Sequence, residues 1–391
     1  MIGNMKLMKS LNCARILSLL RERGTLSRVR LKELTGLDGT TITNLARELL
    51  AKKMVASRGY GESRGGRRAE LLALNADWKL AMGLYLGPGR IFGALVNLGG
   101  EIRGQAEARL GSEERGGKGR AAIRSLARRL AKGARGAKIL GAGLAVTGML
   151  DRERRTLIQS EFFPELEGTD LAEFLGTVTR GPAEVDVSSR CLALGELRFG
   201  AARGIENFVM LELGRGIGCT IVTDGRLGRG SSGGAGELGH TIVLEGGPRC
   251  RCGHRGCLET VASVDALERD ARKALGRESL EFREIVSMCE EGREEVREVV
   301  RQAGHYVGVS ASYIVNVLNP SHIVVGGELA QLGAPLMGAI DEALRSYSMG
   351  ASYEALSLVG AALSEDLGAA TGAAALLIDK VFEVPGVIPG R

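Results

Sequence analysis

A run of glycine, cysteine and histidine between positions 236 and 259 constrains this chain more than any other feature. It reads Gly236-Glu237-Leu238-Gly239-His240 and then Cys250-x-Cys252-Gly253-x-x-Gly256-Cys257-Leu258-Glu259. Three thiolates at this spacing, with one imidazole, can supply the four tetrahedral ligands of a structural zinc ion. Because the protein would fill all four positions, such an ion would hold the loop in shape and carry out no chemistry.

The alternatives are a set of reduced, unligated surface thiols and a disulfide. Three cysteines within eight residues, with a histidine nearby, favour a metal over free thiols. A disulfide would leave one of the three unpaired, and residues 1–10 lack the apolar core of a secretory signal. We therefore expect a reduced, soluble, cytoplasmic protein, with no apolar run long enough to span a membrane.

Positive charge is concentrated at the N-terminus. The chain has 391 residues, enough for two or three domains. Residues 1–77 contain fifteen Lys or Arg against seven Asp or Glu, a net charge of +8, whereas the remainder carries −2. A basic module on a nearly neutral body indicates a polyanionic partner, although a solvated basic face would have the same composition.

The pattern within residues 1–77 is typical of a helix-turn-helix. Apolar residues at helical spacing predict a helix over Leu11–Arg23, a second between Ser27 and Gly36, and a third over Thr40–Leu50. The residues expected on the outer face of the third helix are Thr40, Thr41, Thr43, Asn44 and Arg47. Short polar side chains and one cation on such a helix fit a DNA major groove.

Two strands joined by a loop rich in Gly and Arg would add a wing. We predict these strands at Met54–Arg58 and Glu70–Leu74, and between them Arg64, Arg67 and Arg68 would lie along phosphates or in a minor groove. The alternative is a three-helix packing module that does not contact DNA. The basic excess, the polar helix face and the arginine loop all favour a winged helix-turn-helix domain at residues 1–77 that binds double-stranded DNA.

Residues 78–391 alternate strands with helices, which predicts an α/β body of two lobes. The expected strands are Leu80–Leu86, Ile91–Leu98, Ile139–Thr147, Ala183–Val187, Phe208–Leu213, Cys219–Thr223 and His322–Val325. The expected helices are Ala121–Ala134, with Arg124, Arg128 and Arg129 outward, Arg297–Asn316, Gly333–Arg345 and Gly368–Lys380. Alternate glycines in the loop Leu213–Gly218 let backbone N–H groups turn toward an anion.

Together these segments resemble the ROK family (repressors, open reading frames and sugar kinases) over nearly the whole chain. The resemblance rests on Gly236–His240, on Cys250–Glu259, on Leu213–Gly218 followed by Asp224-Gly225, and on Asn319-Pro320 before Val324-Val325-Gly326-Gly327. It implies an actin-like ATPase (ribonuclease H-like) fold for the body. It also implies a structural Zn²⁺, in a loop at 240–257, held by His240, Cys250, Cys252 and Cys257. By the same resemblance, Glu237, His240 and Glu259 would face a sugar.

The sequence departs from the kinases of that family at residues that carry out the reaction. By the resemblance, kinases have an Asn-Asp pair nine and eight residues before a Glu that matches Glu196, and here the pair is Val187 and Ser188. Serine cannot take a proton from a sugar hydroxyl at pH 7. The first phosphate motif, Asp-x-Gly-Gly-Thr in the kinases, reads Tyr85-Leu86-Gly87-Pro88-Gly89, which lacks the acidic residue near Mg²⁺ and one backbone N–H. We therefore expect no enzymatic activity.

The N-terminal module is typical of the regulators within the family. We expect a DNA-binding transcriptional regulator, in particular a repressor, of sugar metabolism genes, which acts as a homodimer or dimer of dimers on a palindromic operator. Its effector would be a sugar or sugar derivative at a residual site. A changed ligand and no effector at all are the alternatives, since Val187 cannot hydrogen-bond a sugar. The competing classes are a sugar kinase with a DNA-binding appendage and a zinc-stabilised scaffold without an effector.

Overall fold

A computed structural model describes residues 2–61, 68–110, 119–134, 136–151, 155–160 and 162–383. The chain divides into two compact units, one formed by Met1–Asp186 with Ala370–Arg391 and the other by Val187–Ala369. Within the described residues, no helix is both long enough and apolar enough to cross a membrane.

Three helices and a small antiparallel sheet form the start of the first unit. The elements are α1 (Ile2–Arg23), β1 (Leu26–Ser27), α2 (Arg28–Thr35), α3 (Gly39–Ala51), β2 (Val55–Tyr60) and β3 (Glu70–Leu74), with sheet order β1-β3-β2. Ser27 caps α2 by accepting a hydrogen bond from Arg30 N, and Asp38 caps α3 by accepting one from Thr41 N. The side chains that pack between these elements include Ile16, Leu20, Leu31, Ile42, Leu45, Leu49 and Leu72.

The predicted helices and hairpin are all present, but α1 begins at Ile2 and not at Leu11. The apolar side chains of the added turns do not form a buried stripe, since Met5 and Met8 are more than half exposed. A helix without an inward apolar stripe cannot be recognised by its spacing.

The junction near residue 77 is held by hydrogen bonds from both sides. Asp77 accepts two hydrogen bonds from Arg103 (2.7 and 2.6 Å) and one from the buried Asn97 amide (2.9 Å). Arg103 first, and then Asn97, lower the pKa of Asp77. Trp78 donates its indole N–H to Lys52 O (2.9 Å). The N-terminal module is therefore fastened to the rest of its unit, while the exact domain boundary stays a prediction.

A five-stranded sheet with helices forms the rest of the first unit. The elements are β4 (Leu80–Gly87), β5 (Arg90–Val96), β6 (Ile102–Arg109), α4 (Gly119–Gly133), β7 (Ile139–Val146), β8 (Met149–Asp151), β9 (Thr156–Gln159), α5 (Leu171–Thr179), β10 (Ala183–Val187) and the end of α13 (Glu365–Glu383). The order of its main sheet is β10-β7-β4-β5-β6.

The C-terminal helix α13 packs closely on this sheet. A Cβ atom at Gly83 on β4, or at Gly143 on β7, would lie 1.8 Å from a carbonyl oxygen of α13. Only glycine permits this approach. Toward its other end α13 meets α1, where Nη1 of Arg21 lies 3.4 Å from Oδ1 of Asp379.

The second unit has its own five-stranded sheet. Its elements are α6 (Ser188–Phe199), β11 (Phe208–Leu213), β12 (Ile217–Thr223), β13 (Arg226–Leu227), α7 (Glu259–Ala262), α8 (Val264–Leu275), α9 (Phe282–Glu290), α10 (Glu294–Leu318), β14 (His322–Gly326), α11 (Ala334–Tyr347), α12 (Gly350–Glu354), β15 (Ser357–Gly360) and the start of α13. The sheet order is β13-β12-β11-β14-β15.

The two sheets have the same topology. In each, the first strand pairs with the second in an antiparallel hairpin (β4 with β5, β11 with β12) and with the fourth in parallel (β4 with β7, β11 with β14). The third and fifth strands lie at opposite edges. The strands predicted from the sequence are present with ends shifted by a few residues. The duplicated topology places a glycine-containing hairpin turn at the end of the first strand in each unit.

Candidate metal centre, ligand site and nucleic-acid module

The four predicted zinc ligands come together in the second unit. His240, Cys250, Cys252 and Cys257 each offer one donor atom, and these atoms all lie within 4.8 Å of one another. The Cys250 sulfur is 3.5 Å from Nδ1 of His240, and the Cys252 and Cys257 sulfurs are 3.5 Å apart. With Zn–S bonds of about 2.3 Å and Zn–N bonds of about 2.0 Å, donors in a tetrahedral site lie about 3.5–3.8 Å apart. The residues can therefore hold a tetrahedral metal ion.

Tight backbone turns create this arrangement. Cys250 N donates to His254 O (2.8 Å), which folds the segment back on itself. Gly256 has a φ of +74°, and a Cβ atom there would lie 1.6 Å from Leu244 O. A side chain is therefore excluded immediately before Cys257, which explains the glycine at this place in the motif.

The thiols of the cluster differ in their affinity for protons. Hydrogen bonds from the backbone and then the ring of His254 lower the pKa of Cys252 to about 6. Burial, followed by the neighbouring thiols, raises the pKa of Cys257 to about 12. A divalent cation would offset the repulsion between thiolates. His254, whose Nδ1 is 3.5 Å from the Cys252 sulfur, is absent from the sequence-based prediction, although its position between two cysteines is a visible signal.

Glu259 connects the metal loop to the turn between β11 and β12. Its Oε2 accepts a hydrogen bond from Ile217 N (3.1 Å), and its Oε1 lies 3.2 Å from Nε of Arg251. Arg251 lies in the sequence between two of the predicted metal ligands, Cys250 and Cys252. The Glu259 side chain is 13% exposed and that of Arg251 is 52% exposed. A sugar hydroxyl would therefore have to compete with Arg251 for this carboxylate.

His240 and Glu237 lie together on a more exposed part of the predicted ligand site. Because Nδ1 of His240 faces the Cys250 sulfur, its Nε2 is directed to other partners and lies 3.9 Å from Oε2 of Glu237. The Glu237 side chain is 59% exposed. The pair offers a ligand one imidazole nitrogen and one carboxylate, both suited to hydroxyl groups.

The start of α6 carries the residues that replace the kinase pair. Val187 precedes the helix, and Ser188 Oγ lies 3.4 Å from Oε2 of Glu212 on β11. Burial of the carboxyl group, and then the Glu365 carboxylate, raise the pKa of Glu212 to about 8, while the hydrogen bond from Ser188 opposes this shift. Neither Val187 nor Ser188 can take a proton from a sugar. Glu212 is missing from the sequence-based site, because one acidic residue in a strand gives no pattern.

A buried arginine also lies on α6. Arg190 is 5% exposed and donates from Nη1 to Gly233 O (3.0 Å) in the loop that precedes Glu237. This hydrogen bond links α6 to the loop of the ligand site. Sequence reasoning misses it because an arginine in an amphipathic helix usually lies on the surface.

The first hairpin of the first unit has an aromatic residue where the resemblance to the kinases implies an acidic one. Tyr85 on β4 is 1% exposed, and a Cβ atom at Gly87 would lie 2.6 Å from its ring. The ring therefore packs directly against the turn. Pro88, which follows, has no backbone N–H to offer a phosphate.

Helix α3 exposes part of its predicted polar face. Thr40, Asn44 and Arg47 are exposed, whereas Thr41 and Thr43 are half-buried. The Thr41 hydroxyl donates to Asp38 Oδ2 (2.5 Å) and the Thr43 hydroxyl to Gly39 O (2.8 Å). Those two hydroxyls already have partners within the helix start. The lone-pair acceptors of both oxygens stay open to a ligand.

The tip of the predicted wing lies only partly within the described residues. The strands β2 and β3 pair antiparallel from Val55 with Leu74 onward. Arg68 lies next to β3 and is exposed, whereas Arg64 and Arg67 lie outside the described residues.

Similarity to known proteins extends over nearly the whole chain. The xylose repressor of Caldicellulosiruptor bescii is 28% identical over 406 residues, with 98% of this chain and 99% of the repressor covered. A solved ROK family transcriptional regulator, a homologue of the E. coli MLC protein, matches with a TM-score of 0.81 at 25% identity and covers 96% of this chain and 98% of that one. The solved ROK hexokinase of Thermus thermophilus is 32% identical and has a TM-score of 0.65. The match covers 77% of this chain and 99% of the hexokinase.

These similarities confirm the predicted actin-like fold and the prediction of a transcriptional regulator rather than an enzyme. The regulators match the chain from end to end, whereas the hexokinase leaves about a quarter of it unmatched. The assignments of DNA-binding, ligand and metal residues stay predictions. The model of the ROK family matches residues 81–380, and the chain belongs to that family.

Proposed function

We propose that this protein represses sugar metabolism genes by binding an operator with its N-terminal module and a sugar with its body. The main support for this proposal is that two features occur together in one chain. A basic three-helix module exposes Asn44 and Arg47 on α3, and a kinase-like body lacks a proton acceptor at Val187 and Ser188. Such a chain can bind DNA and a ligand, but it cannot phosphorylate the ligand.

The DNA-binding domain would comprise residues 1–77. Helix α3 would enter the major groove with Thr40, Asn44 and Arg47 toward base edges, while Thr41 and Thr43 fix the helix start. The wing, with Arg64, Arg67 and Arg68, would follow the phosphates or a minor groove. Residues 78–391 would form the effector-binding and dimerisation body.

The metal would be a structural Zn²⁺ bound by His240, Cys250, Cys252 and Cys257. What supports zinc is the donor set of three sulfurs and one imidazole at tetrahedral spacing. When bound, the ion closes the loop and supplies no open coordination position. The fixed loop would then hold Glu259 and Arg251 in place.

The effector would be a sugar held by Glu237, His240 and Glu259. Carboxylate and imidazole groups at one site suit vicinal hydroxyl groups. D-xylose is a natural first probe, because a full-length relative is named a xylose repressor. In a thermal-shift assay, a sugar that binds the folded state raises the melting temperature. If no aldose, N-acetylated sugar or sugar phosphate shifts it, the effector proposal is wrong.

A homodimer is supported by exposed apolar side chains in the second unit. Tyr313 and Val317 lie one turn apart on α10 and are 57% and 79% exposed. Tyr347 is the last residue of α11 and Met349 follows the helix, and they are 51% and 67% exposed. His305, also on α10, has its ring 5.8 Å from that of Tyr347. Apolar groups of this size in water mark contact surfaces. A two-fold dimer through them would present two modules to a palindrome. Val317→Asp should yield monomers in sedimentation analysis, and an unchanged dimer would exclude this surface.

Selection from a random duplex library tests the DNA-binding proposal. Wild-type protein should enrich a palindromic sequence, and Asn44→Ala should relax preference at one base position in each half-site, at a cost of about 1–3 kcal/mol. Gln302→Ala, an exposed amide on α10, serves as the control and should select the wild-type sequence. If wild-type protein enriches no sequence, or if the Asn44 variant enriches the same sequence equally well, α3 does not recognise bases through Asn44.

A coupled assay for ADP release tests the competing kinase function. With ATP, Mg²⁺ and a panel of hexoses and pentoses, the wild-type protein should show no turnover above background. Turnover near a typical enzyme median of about 10 s⁻¹ would show that the protein is a sugar kinase as well as a DNA-binding protein.

A further inference from the structure

Helix α4 carries a row of cations and no acidic residue. Four cations repeat at intervals of four residues and a fifth lies beside them, at Arg120, Arg124, Arg128, Arg129 and Lys132. Residues at this interval share one face of a helix. All five side chains are exposed, whereas the opposite face packs on the sheet through Ile123, Leu126, Ala127 and Leu130. We call the five cations the α4 stripe.

The α4 stripe is not neutralised within the described part of the chain. None of its five cations forms an ion pair with a described residue; Arg120 donates to the Thr169 hydroxyl and Arg129 to a backbone carbonyl. The contrast is Arg301 on α10, which lies 2.6 Å from both Glu294 and Glu298. Like charges four residues apart destabilise a helix. A stripe with no acidic partner among the described residues therefore indicates an anionic partner.

The dimensions of the α4 stripe suit a nucleic-acid backbone. From Arg120 to Lys132 the helix rises about 18 Å. One DNA strand presents a phosphate about every 3.4 Å along the duplex axis, so the stripe spans about five base pairs. Arg120 and Arg124 also lie 5.8 and 5.9 Å from the ring centre of Phe174 on α5. Contact with one ring orients both guanidinium groups before any ligand arrives.

The residues between the cations favour DNA over an acidic protein. The exposed positions Ala121 and Ser125 lie between them and are small. Protein interfaces centre on aromatic and other large side chains, and their cores contain few charges. Phosphate contacts need only cations and N–H donors with room for the backbone. The stripe also belongs to the same compact unit as residues 1–77.

We infer that the α4 stripe binds DNA phosphates in addition to the contacts made by residues 1–77. The inference rests on the proposed DNA-binding function. The stripe would add sequence-independent affinity, because phosphate contacts carry no base information. It would increase the number of counterions that are released on binding, and with it the salt dependence of affinity.

The test is a salt titration of full-length protein on the duplex selected by wild-type protein. The variant Arg124→Gln/Arg128→Gln/Lys132→Gln keeps long side chains and helix propensity but removes three charges. Each lost phosphate contact lowers the slope of log Kobs against log salt by about 0.9, so we expect a decrease of about 2 to 3. Arg124→Lys/Arg128→Lys, which keeps the charge, should retain the wild-type slope.

A second control separates local contacts from net charge. Lys273→Gln/Arg277→Gln/Arg283→Gln removes the same charge from three exposed positions of the other unit. In one outcome, the α4 variant changes the slope no more than this control does, while Asn44→Ala still loses sequence preference. That result would contradict the inference about the α4 stripe but leave the proposed function intact. If wild-type protein binds no duplex, both the inference and the proposed function are wrong.

Discussion

The same short pattern, X-Leu-Gly-x-Gly, closes the first hairpin of both units, and the residue at X differs. In the first unit it is Tyr85, whose ring packs against the Gly87 backbone. In the second unit it is Glu212, whose carboxyl group lies beside the Ser188 hydroxyl. The shape of the turn depends on the glycines, whereas its chemistry depends on X. Both units therefore have the same turn, although the side chain that precedes it differs.

The second hairpin is also connected to the predicted ligand site. Ile217 N donates to Glu259, and Arg215 in the turn pairs with Asp265 and Glu268 on α8. Through Glu259, the turn is joined to the segment that carries the predicted metal ligands. We therefore predict that the second hairpin contributes to a binding site, whereas the first hairpin, with Tyr85 buried, contributes to a core. Each prediction below tests one side of this difference.

Loss of the metal should have the largest effect, and it should be confined to the second unit. Cys252→Ser removes one ligand from an exposed position, so it creates no cavity. Because metal binding and folding of such loops are coupled by about 10 kcal/mol in small zinc domains, we expect zinc to fall from about one per chain to none, with a marked drop in melting temperature. Elemental analysis and thermal unfolding measure both.

Cys289→Ser is the matched control, since this cysteine is buried but lies outside the ligand cluster. It should keep its zinc even if packing suffers. A Cys252 variant that retains a full equivalent of zinc would show that the loop has another ligand set, with His254 the nearest substitute.

Removal of the buried ring should damage the first hairpin as a core element. Tyr85→Ala deletes a side chain that is 1% exposed, and we expect a loss of about 3–5 kcal/mol in the free energy of unfolding. Tyr60→Ala, at a 66% exposed tyrosine on β2, should change it by less than about 1 kcal/mol. Urea unfolding compares the two. Similar losses in both variants would mean that Tyr85 is not the packing residue that its burial indicates.

The carboxyl group of the second hairpin should make stability depend on pH. The pKa of Glu212 is raised to about 8 in the folded chain, against about 4.3 in an unfolded one. Between these values the folded chain binds more protons, so stability should fall as pH rises, by up to ~1.4 kcal/mol per pH unit. Glu212→Gln cannot ionise and should match wild type near pH 5 but exceed it at pH 8.

The comparison of unfolding free energies at these two pH values isolates the Glu212 contribution, because other groups titrate in both proteins. Ser188→Ala removes the hydrogen bond that opposes the shift, so its pH dependence should be at least as steep as that of wild type. A constant difference between Glu212→Gln and wild type from pH 5 to 8 would show that this carboxyl titrates normally.

Much of the fold is predictable from local patterns. Ser27 and Gly36 are predicted at the two ends of α2 and are its caps in the structure, because capping is a local interaction. The cysteine spacing likewise predicts a cluster that the fold assembles. Edge strands such as β6 and β15 are not recognised, since their exposed sides break the apolar pattern.

The partners of the site residues are not predictable in the same way. That Glu259 accepts from Ile217 N, 42 positions away, depends on how α7 and β12 pack. The buried Arg190 donates a hydrogen bond to Gly233 O, 43 positions away. Sequence patterns indicate which side chains are present and on which face they lie. They do not indicate which distant donor or acceptor each one meets.

The smallest expected effect on stability concerns Arg251, and its effect on binding is the more informative one. Arg251 is half exposed, so Arg251→Gln should change the free energy of unfolding by less than about 1 kcal/mol. It should also free Glu259 from a competitor and tighten D-xylose binding, by up to about tenfold if the pair contributes ~1.4 kcal/mol. Arg249→Gln removes the same charge from an exposed position of the same loop and should leave affinity unchanged. Calorimetric titration measures each constant. Weaker binding in the Arg251 variant would mean that the guanidinium group contacts the sugar and does not compete with it. The role of Glu259 would then be to hold Arg251 in position.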